Sequence, residues 1–294
     1  MRIKRSPLEI LFDCANVLFM LALMLVTLYP FLHVLFASLS LPGELVRHRG
    51  LLFAPLGFSL GAYRLVFSNP MLMPSYGNTL FLLVVGTVIN VALTVLGGYV
   101  LSKREAMLIR PLNFLVVFTM LFSGGLIPSY LMVSRTLGML DSLWALILPT
   151  AISTYNMMVM RSGFAAVPQS LEESAFIDGA NDFTVLLRIV IPLAMPTIAV
   201  IVLFYGVGHW NSWFNAMVYI RSREKYPLQL ILREILISNR PDMMTTGVSD
   251  LDKEAVGETV KYGTIMVATL PIIFVYPFLQ RFFVKGVMIG AVKG

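Results

Sequence analysis

Long apolar runs, each the length of a hydrocarbon core, alternate along this chain with short polar stretches. A membrane-spanning helix needs roughly 20 predominantly apolar residues. Six segments reach that length, at about 14–39, 77–101, 111–133, 142–160, 191–219 and 263–284. The pattern predicts an all-α integral membrane protein: a short N-terminal segment, 1–13, and one six-helix transmembrane domain over 14–294. An even number of spans puts both termini on one side. Arg2, Lys4 and Arg5 precede the first span, and Lys103, Arg104 and Arg110 crowd the short loop after the second. Short loops rich in Lys and Arg stay in the cytoplasm, so both termini are expected there. The first span is too long for a cleaved signal peptide and is read as an uncleaved helix.

Three places depart from this alternation. Between the fourth and fifth spans lies the polar stretch Pro168-Gln169-Ser170-Leu171-Glu172-Glu173-Ser174-Ala175-Phe176-Ile177-Asp178-Gly179-Ala180-Asn181-Asp182. Ser170 followed three residues later by Glu173 has the form of a capping box, which predicts a short helix from Leu171 to about Asp178. Gly179 suits the left-handed residue that closes a helix, and Asn181 or Asp182 suits the cap of the next. Taken bottom-up, this stretch is an amphipathic helix lying at a surface.

The third span is interrupted by Ser123-Gly124-Gly125-Leu126-Ile127-Pro128. Such a break frees backbone groups that lipid cannot satisfy, so it belongs against protein or a water-filled path. Gly124, Gly125 and Pro128 are therefore candidates for the wall of a translocation pathway, with a kinked helix end at the interface as the equal alternative. The fifth span ends in Gly206-Val207-Gly208-His209-Trp210-Asn211-Ser212-Trp213-Phe214-Asn215. Aromatic faces cover apolar C–H patches and amides bond hydroxyls, as a passing sugar requires, which makes Trp210, Asn211, Trp213 and Asn215 further pathway candidates. An interfacial aromatic belt accounts for Trp210 and Trp213 equally well. His209 has no partner motif and is expected to pack or hydrogen-bond. Within the second span Gly86, Thr94, Gly97 and Gly98 permit close helix approach, while Asp141 or Ser142 is a candidate cap for the fourth span and Pro149 a kink within it.

Composition sharpens the class. The chain is 57% hydrophobic and 13% charged, with a mean hydropathy of +0.81, which excludes an ordinary soluble domain. Its formal charge of +6 is spread over the ends of apolar runs, the placement of lipid-facing anchors, so nucleic acid is not an expected partner. The single cysteine, Cys14, excludes an intrachain disulfide. No Gly-x-x-x-x-Gly-Lys-Ser/Thr stretch cradles phosphates here, and no His-Glu-x-x-His or Gly-x-Ser-x-Gly is present. The chain is therefore expected to carry no catalytic site, no metal and no cofactor of its own. Nor does a run of intramembrane carboxylates or arginines point to a proton-coupled carrier or voltage sensor.

Glu173-Ser174-Ala175, Ile177-Asp178-Gly179-Ala180, Ile189-Val190-Ile191-Pro192 and Pro196 resemble the signature loop of the permease subunits of bacterial ABC-type importers. Ser174 stands where that family usually has Ala. Phe58 to Tyr63, Asn69-Pro70, the stretch Leu121 to Arg161 and the tail Lys285 to Gly294 resemble the carbohydrate branch, of the maltose and oligosaccharide type. The resemblance covers roughly Leu56 to Gly294. It implies the type I importer permease fold, with the 168–190 loop as a cytoplasmic coupling helix whose Leu171, Glu172, Glu173, Ser174, Ala175, Ile177, Asp178, Gly179 and Ala180 dock on an ATPase. It further implies a multi-pass bacterial inner-membrane protein that works with a second homologous permease, two ATP-binding subunits holding ATP and Mg, and an extracytoplasmic sugar-binding protein. The function implied is a carbohydrate importer. An importer for another solute, such as an amino acid or phosphonate, and a stand-alone channel or scaffold stay open at this point.

Overall fold

The structure is a computed structural model that describes residues 6–103, 108–237, 256–274 and 277. Arg104, the acidic stretch after Asn239, the end of the sixth predicted span and the Lys285–Gly294 tail lie outside the described residues. The described chain is helical apart from turns and one isolated bridge between Ser40 and Phe58. It divides into two compact units, Met1–Asn69 with Glu234–Leu270, and Pro70–Arg233 with Pro271–Gly294.

In the first unit, α1 (Pro7–Ser38) is a single long apolar helix whose start is fixed by a capping box between Ser6 and Glu9. Nearly all of its side chains are exposed, as suits a helix surrounded by lipid. Two short helices follow, α2 (Pro42–Arg47) and α3 (Gly61–Ser68). The Tyr29 hydroxyl accepts from the Leu52 amide at 2.9 Å, and the Ser38 and Tyr63 hydroxyls meet at 2.8 Å, which ties the loop and α3 to α1.

The second unit holds the working parts. Helix α4 (Leu72–Ser102) is the other long apolar helix, with a widened turn at Leu82–Gly86. Then come α5 (Ile109–Leu121), α6 (Leu126–Thr136), α7 (Trp144–Ile147), α8 (Thr154–Ala165), α9 (Gln169–Ile177), α10 (Asp182–Leu193), α11 (Met195–Trp210), α12 (Phe214–Tyr219) and α13 (Leu228–Ile237). A further helix, α14 (256–274), belongs mainly to the first unit, where Gly263 lets it approach Ala62 of α3 closely.

Helices α4, α8, α10 and α11 share a core of Val95, Tyr99, Met160, Phe164, Val185, Leu186, Val190, Ile198, Ile201 and Tyr205. Their close approach has a local cause. A Cβ at Gly97 would sit 2.7 Å from Met157 Sδ, one at Gly98 2.8 Å from Met160 Cγ, and one at Gly163 2.7 Å from Thr197. Small residues carry helix packing where no hydrophobic effect can.

Among the described residues, two helices are long and apolar enough to cross a membrane, and four if each of two sharply bent pairs counts as one span. The predicted span 111–133 is one of these pairs, α5 and α6, bent by 108°. Span 191–219 is also not one helix: α10 and α11 meet at 85°, and the chain breaks again after Trp210. The cause is Pro196, which has no N–H to give to the Pro192 carbonyl four residues earlier and crowds it with its ring. Span 142–160 resolves into α7, a tight turn at Leu148–Thr150, and α8. Asp141 does not cap it. Its backbone takes a left-handed φ of 57° and its side chain turns to another loop, while only the Ser142 hydroxyl accepts from the Trp144 amide, at 3.3 Å.

Candidate functional site

The polar loop forms a helix, but not through the expected cap. Pro168 occupies the N-cap position without a side-chain bond, and α9 begins at Gln169, two residues earlier than the capping box predicts. Proline suits a helix entrance because its missing N–H would be unpaired there in any case. Ser170 thereby falls inside the first turn, where its carbonyl accepts from the Ser174 hydroxyl at 2.8 Å, so the Ser170–Glu173 box does not form. The other end follows the sequence. Gly179 has a φ of 83°, its amide bonds to Phe176 O at 3.0 Å, and the Ala180 amide bonds to Ala175 O at 2.9 Å. This is the Schellman closure. Asn181 then caps α10 by accepting from the Thr184 amide at 2.8 Å.

Helix α9 lies on the bundle by one side. Ala175, Ala180 and Val167 pack against the core of α4, α8, α10 and α11. Lys103, at the end of α4, forms an ion pair with Glu172 and sits 4.3 Å from the Tyr99 ring centroid and 5.8 Å from that of Phe176. Burial works most strongly against the Lys103 charge, but its bonds to Glu172 and Tyr99 together outweigh it and hold the ammonium above the ordinary lysine range. The opposite side is open: Leu171, Glu173, Ser174, Ile177, Asp178 and Gly179 are exposed, Ile177 by 86%. Of the nine residues implied for docking, Glu172, Ala175 and Ala180 hold the helix to the bundle and the other six form a free surface.

The pathway candidates are placed unevenly. Gly124, Gly125 and Pro128 are all exposed at the α5–α6 break, where Gly125 has a φ of 82°. Trp210 is buried, 7% exposed, edge-on to Tyr76 at 6.5 Å, and its indole N–H has no hydrogen-bond partner among the described residues. Asn211 is exposed and donates to Val207 O at 3.0 Å. Trp213 carries the Arg233 guanidinium 4.4 Å from its ring centroid, with half-buried Asn215 two residues on.

A polar cluster holds the turn between α7 and α8; the sequence named Gly86, Thr94 and His209 singly, the last as a packing or hydrogen-bonding residue, but not Asn90 or Tyr205. The Asn90 amide nitrogen donates to Thr150 O at 2.9 Å and Ala151 O at 3.0 Å. This leaves Asn90 Oδ1 to accept from His209 Nε2 at 2.9 Å, so His209 carries its proton on Nε2. Thr94, one turn along α4 from Asn90, meets the Tyr205 hydroxyl at 2.7 Å, and that hydroxyl accepts from the Ser153 amide at 2.9 Å. Gly86 makes the room, since a Cβ there would lie 2.5 Å from His209 Nε2. The available signal was Asn90 and Thr94 at i and i+4 in an apolar span, two polar groups on one helix face.

No model of a protein family matches the chain. It is 44% identical over 97% of its length to the polygalacturonan/rhamnogalacturonan transport system permease protein YtcP of Bacillus subtilis, covering 99% of that protein. To protein LplC of the same organism it is 43% identical, over 96% of this chain and 95% of that one. The crystal structure of a bacterial ABC transporter involved in the import of the acidic polysaccharide alginate contains a chain that superposes with a TM-score of 0.85 at 32% identity, over 96% of this chain and 99% of that one.

The chain belongs to the permeases of ABC-type sugar importers. A sugar-importer permease is a multi-pass membrane protein, and its transport system includes an ATPase and a substrate-binding protein. The bent helix pairs and the pinned α7–α8 turn are thus parts of a carbohydrate translocation subunit, and the polar cluster satisfies backbone groups that lipid could not.

Proposed function

We propose that this permease is one of two homologous membrane subunits of an importer for acidic oligosaccharides, and that it receives the work of ATP hydrolysis through α9. The observation that carries the coupling assignment is the two-sidedness of this helix: it is tied to α4 by the Lys103–Glu172 pair and to the core by Ala175 and Ala180, while Glu173, Ile177 and Asp178 stand free. A helix held on one side and open on the other transmits displacement to the spans it is tied to. ATP and Mg belong to the partner ATPase, and with α9 on the cytoplasmic side both termini are cytoplasmic as well. A switch from 1:99 to 99:1 between inward and outward states needs about 5.5 kcal/mol of differential binding, which closure of an ATPase pair supplies.

Acidic substrates are favoured by the relatives. One bears polygalacturonan and rhamnogalacturonan in its name, and the similar solved chain comes from an importer of the acidic polysaccharide alginate. A tagged copy purified from native membranes in mild detergent is expected to bring down an ATPase and a second permease. The reconstituted assembly is expected to import oligogalacturonates in preference to neutral maltooligosaccharides of equal length. Recovery of the chain alone across several detergents contradicts the assembly, and preference for the neutral sugar contradicts the substrate class.

A further inference from the structure

Arg233 occupies an unusual position for a basic residue in this unit. Lys225 is spent on Asp141, Lys103 on Glu172, and the Arg161 Nε donates to Leu101 O at 3.1 Å. Arg233 has no such acceptor among the described residues. Its guanidinium lies over Trp213, and its one hydrogen-bonding partner is Met217 Sδ, 3.3 Å from Nη1. A thioether is a weak acceptor, and a guanidinium over a ring face spends its π surface rather than its five N–H donors. The group is nonetheless held in place. Leu228, Leu230, Ile231 and Leu232 of α13 are buried, and the start of α13 is anchored on α4 where the Leu228 amide donates to Thr79 Oγ1 at 2.8 Å. Side chain and ring are both half-buried, so the positive charge is not dispersed in bulk water, and no carboxylate among the described residues is paired with it.

We propose that Arg233, steadied by Trp213, is a carboxylate-binding subsite for the uronate units of the transported oligosaccharide; this rests on the acidic-substrate reading above. A planar guanidinium pairs with a carboxylate through two parallel N–H···O bonds, a geometry that a neutral sugar cannot use. The site selects charge and ring shape together: the fork takes the carboxylate, and the Trp213 ring beside it offers an aromatic edge to the apolar face of the sugar.

The test uses the complete importer in phosphatidylcholine liposomes with its own binding protein, and reads trigalacturonate moved per ATP hydrolysed. Arg233→Gln is expected to lower this ratio about 10-fold or more, the cost of a lost charge-assisted pair. Arg233→Lys keeps the charge without the fork and is expected to lie between Gln and wild type, and Trp213→Leu to raise the concentration for half-maximal uptake. A wild-type ratio in Arg233→Gln overturns the proposal. So does an equal loss of uptake and ATP hydrolysis in both Arg233 variants, the signature of a packing residue, and so does a loss seen only when anionic lipid is added, which would assign Arg233 to phosphate headgroups. Wild-type liposomes that import a neutral trisaccharide but no uronide overturn the substrate reading itself, and this subsite with it.

Discussion

Two interruptions of the second unit are built in opposite ways. At Thr150–Ser153 the backbone leaves the helix under cover: Asn90 bonds the carbonyls of Thr150 and Ala151, Tyr205 takes the Ser153 amide, and His209 and Thr94 complete the cluster. At Phe122–Gly125 the chain turns through 108° in the open, with Gly125 in a left-handed conformation and, among the described residues, no side chain from another element bonded to the turn. The first break is fixed by side chains from two other helices, α4 and α11. The second belongs to its own glycines and is free to answer to what surrounds it. A pinned break is rigid, and an unpinned one is the kind that can reorient.

The pinned turn depends most on Asn90. Asn90→Leu strips two carbonyls and His209 of their partners at once, and at about 1 kcal/mol per bond the loss is about 3 kcal/mol. The expected outcome is a large drop in the melting temperature of the detergent-purified chain; an unchanged melting temperature would deny that the α7–α8 turn is pinned. Gly86→Ala comes next, because the new Cβ meets His209 Nε2 at 2.5 Å and pushes the ring off Asn90, costing about 1–2 kcal/mol. The added effect of Gly86→Ala is expected to vanish in a His209→Ala background, and simple additivity of the two would contradict the contact. At the other break, Gly125→Ala has open space around it and meets only the backbone cost of holding φ 82° with ψ 178°, a region essentially reserved for glycine, about 1–3 kcal/mol. It should change transport rate more than melting temperature, and the reverse would remove the distinction between the two breaks.

The smallest effect concerns Asp141, which ties its loop to 221–225. Lys225 Nζ donates to Asp141 Oδ2 at 2.8 Å, Oδ1 accepts from the Ser222 and Arg221 amides, and the Ser222 hydroxyl bonds Oδ2 at 2.7 Å. The Lys225 ammonium first, and then these donors, hold the carboxyl well below the ordinary range. A depressed carboxylate contributes stability that is fully present above its unfolded pKa and lost as the pH falls through its folded one. Between pH 5 and pH 8 this group therefore adds no slope. Its contribution fades only in strong acid, and Asp141→Asn should flatten the acid limb of a stability curve without altering the neutral plateau.

What the sequence made legible was whatever the local chain decides. Gly179 closes α9 and Asn181 caps α10 as read, because a left-handed residue and an Asx cap need only their own neighbours. The Ser123–Gly125 break was visible for the same reason. The start of α9 was misplaced because Pro168 competes for the entrance with Ser170, and a proline that gives up no useful bond wins. The turn at Thr150–Ser153 was seen only as a kink at Pro149, since what stabilises it sits 60 and 52 residues away in sequence, on Asn90 and Tyr205. Trp210 reads as a pathway ring by composition, and nothing in its neighbourhood announces that Tyr76 covers it. In the α9 stretch, periodicity placed the helix but did not separate the residues that hold it from those left free.

The most direct test of the docking assignment is a single cysteine at Ile177, in a chain whose Cys14 is replaced by Ser, cross-linked within the complete importer. A bis-maleimide product joining this permease to the ATPase subunit is expected, with a yield that changes when ATP is added. A cysteine at Arg223 is expected to give none. Free labelling of Ile177→Cys by a water-soluble maleimide without any ATPase product, together with cross-linking from Arg223→Cys, would contradict the account and place the ATPase on the other face of the protein.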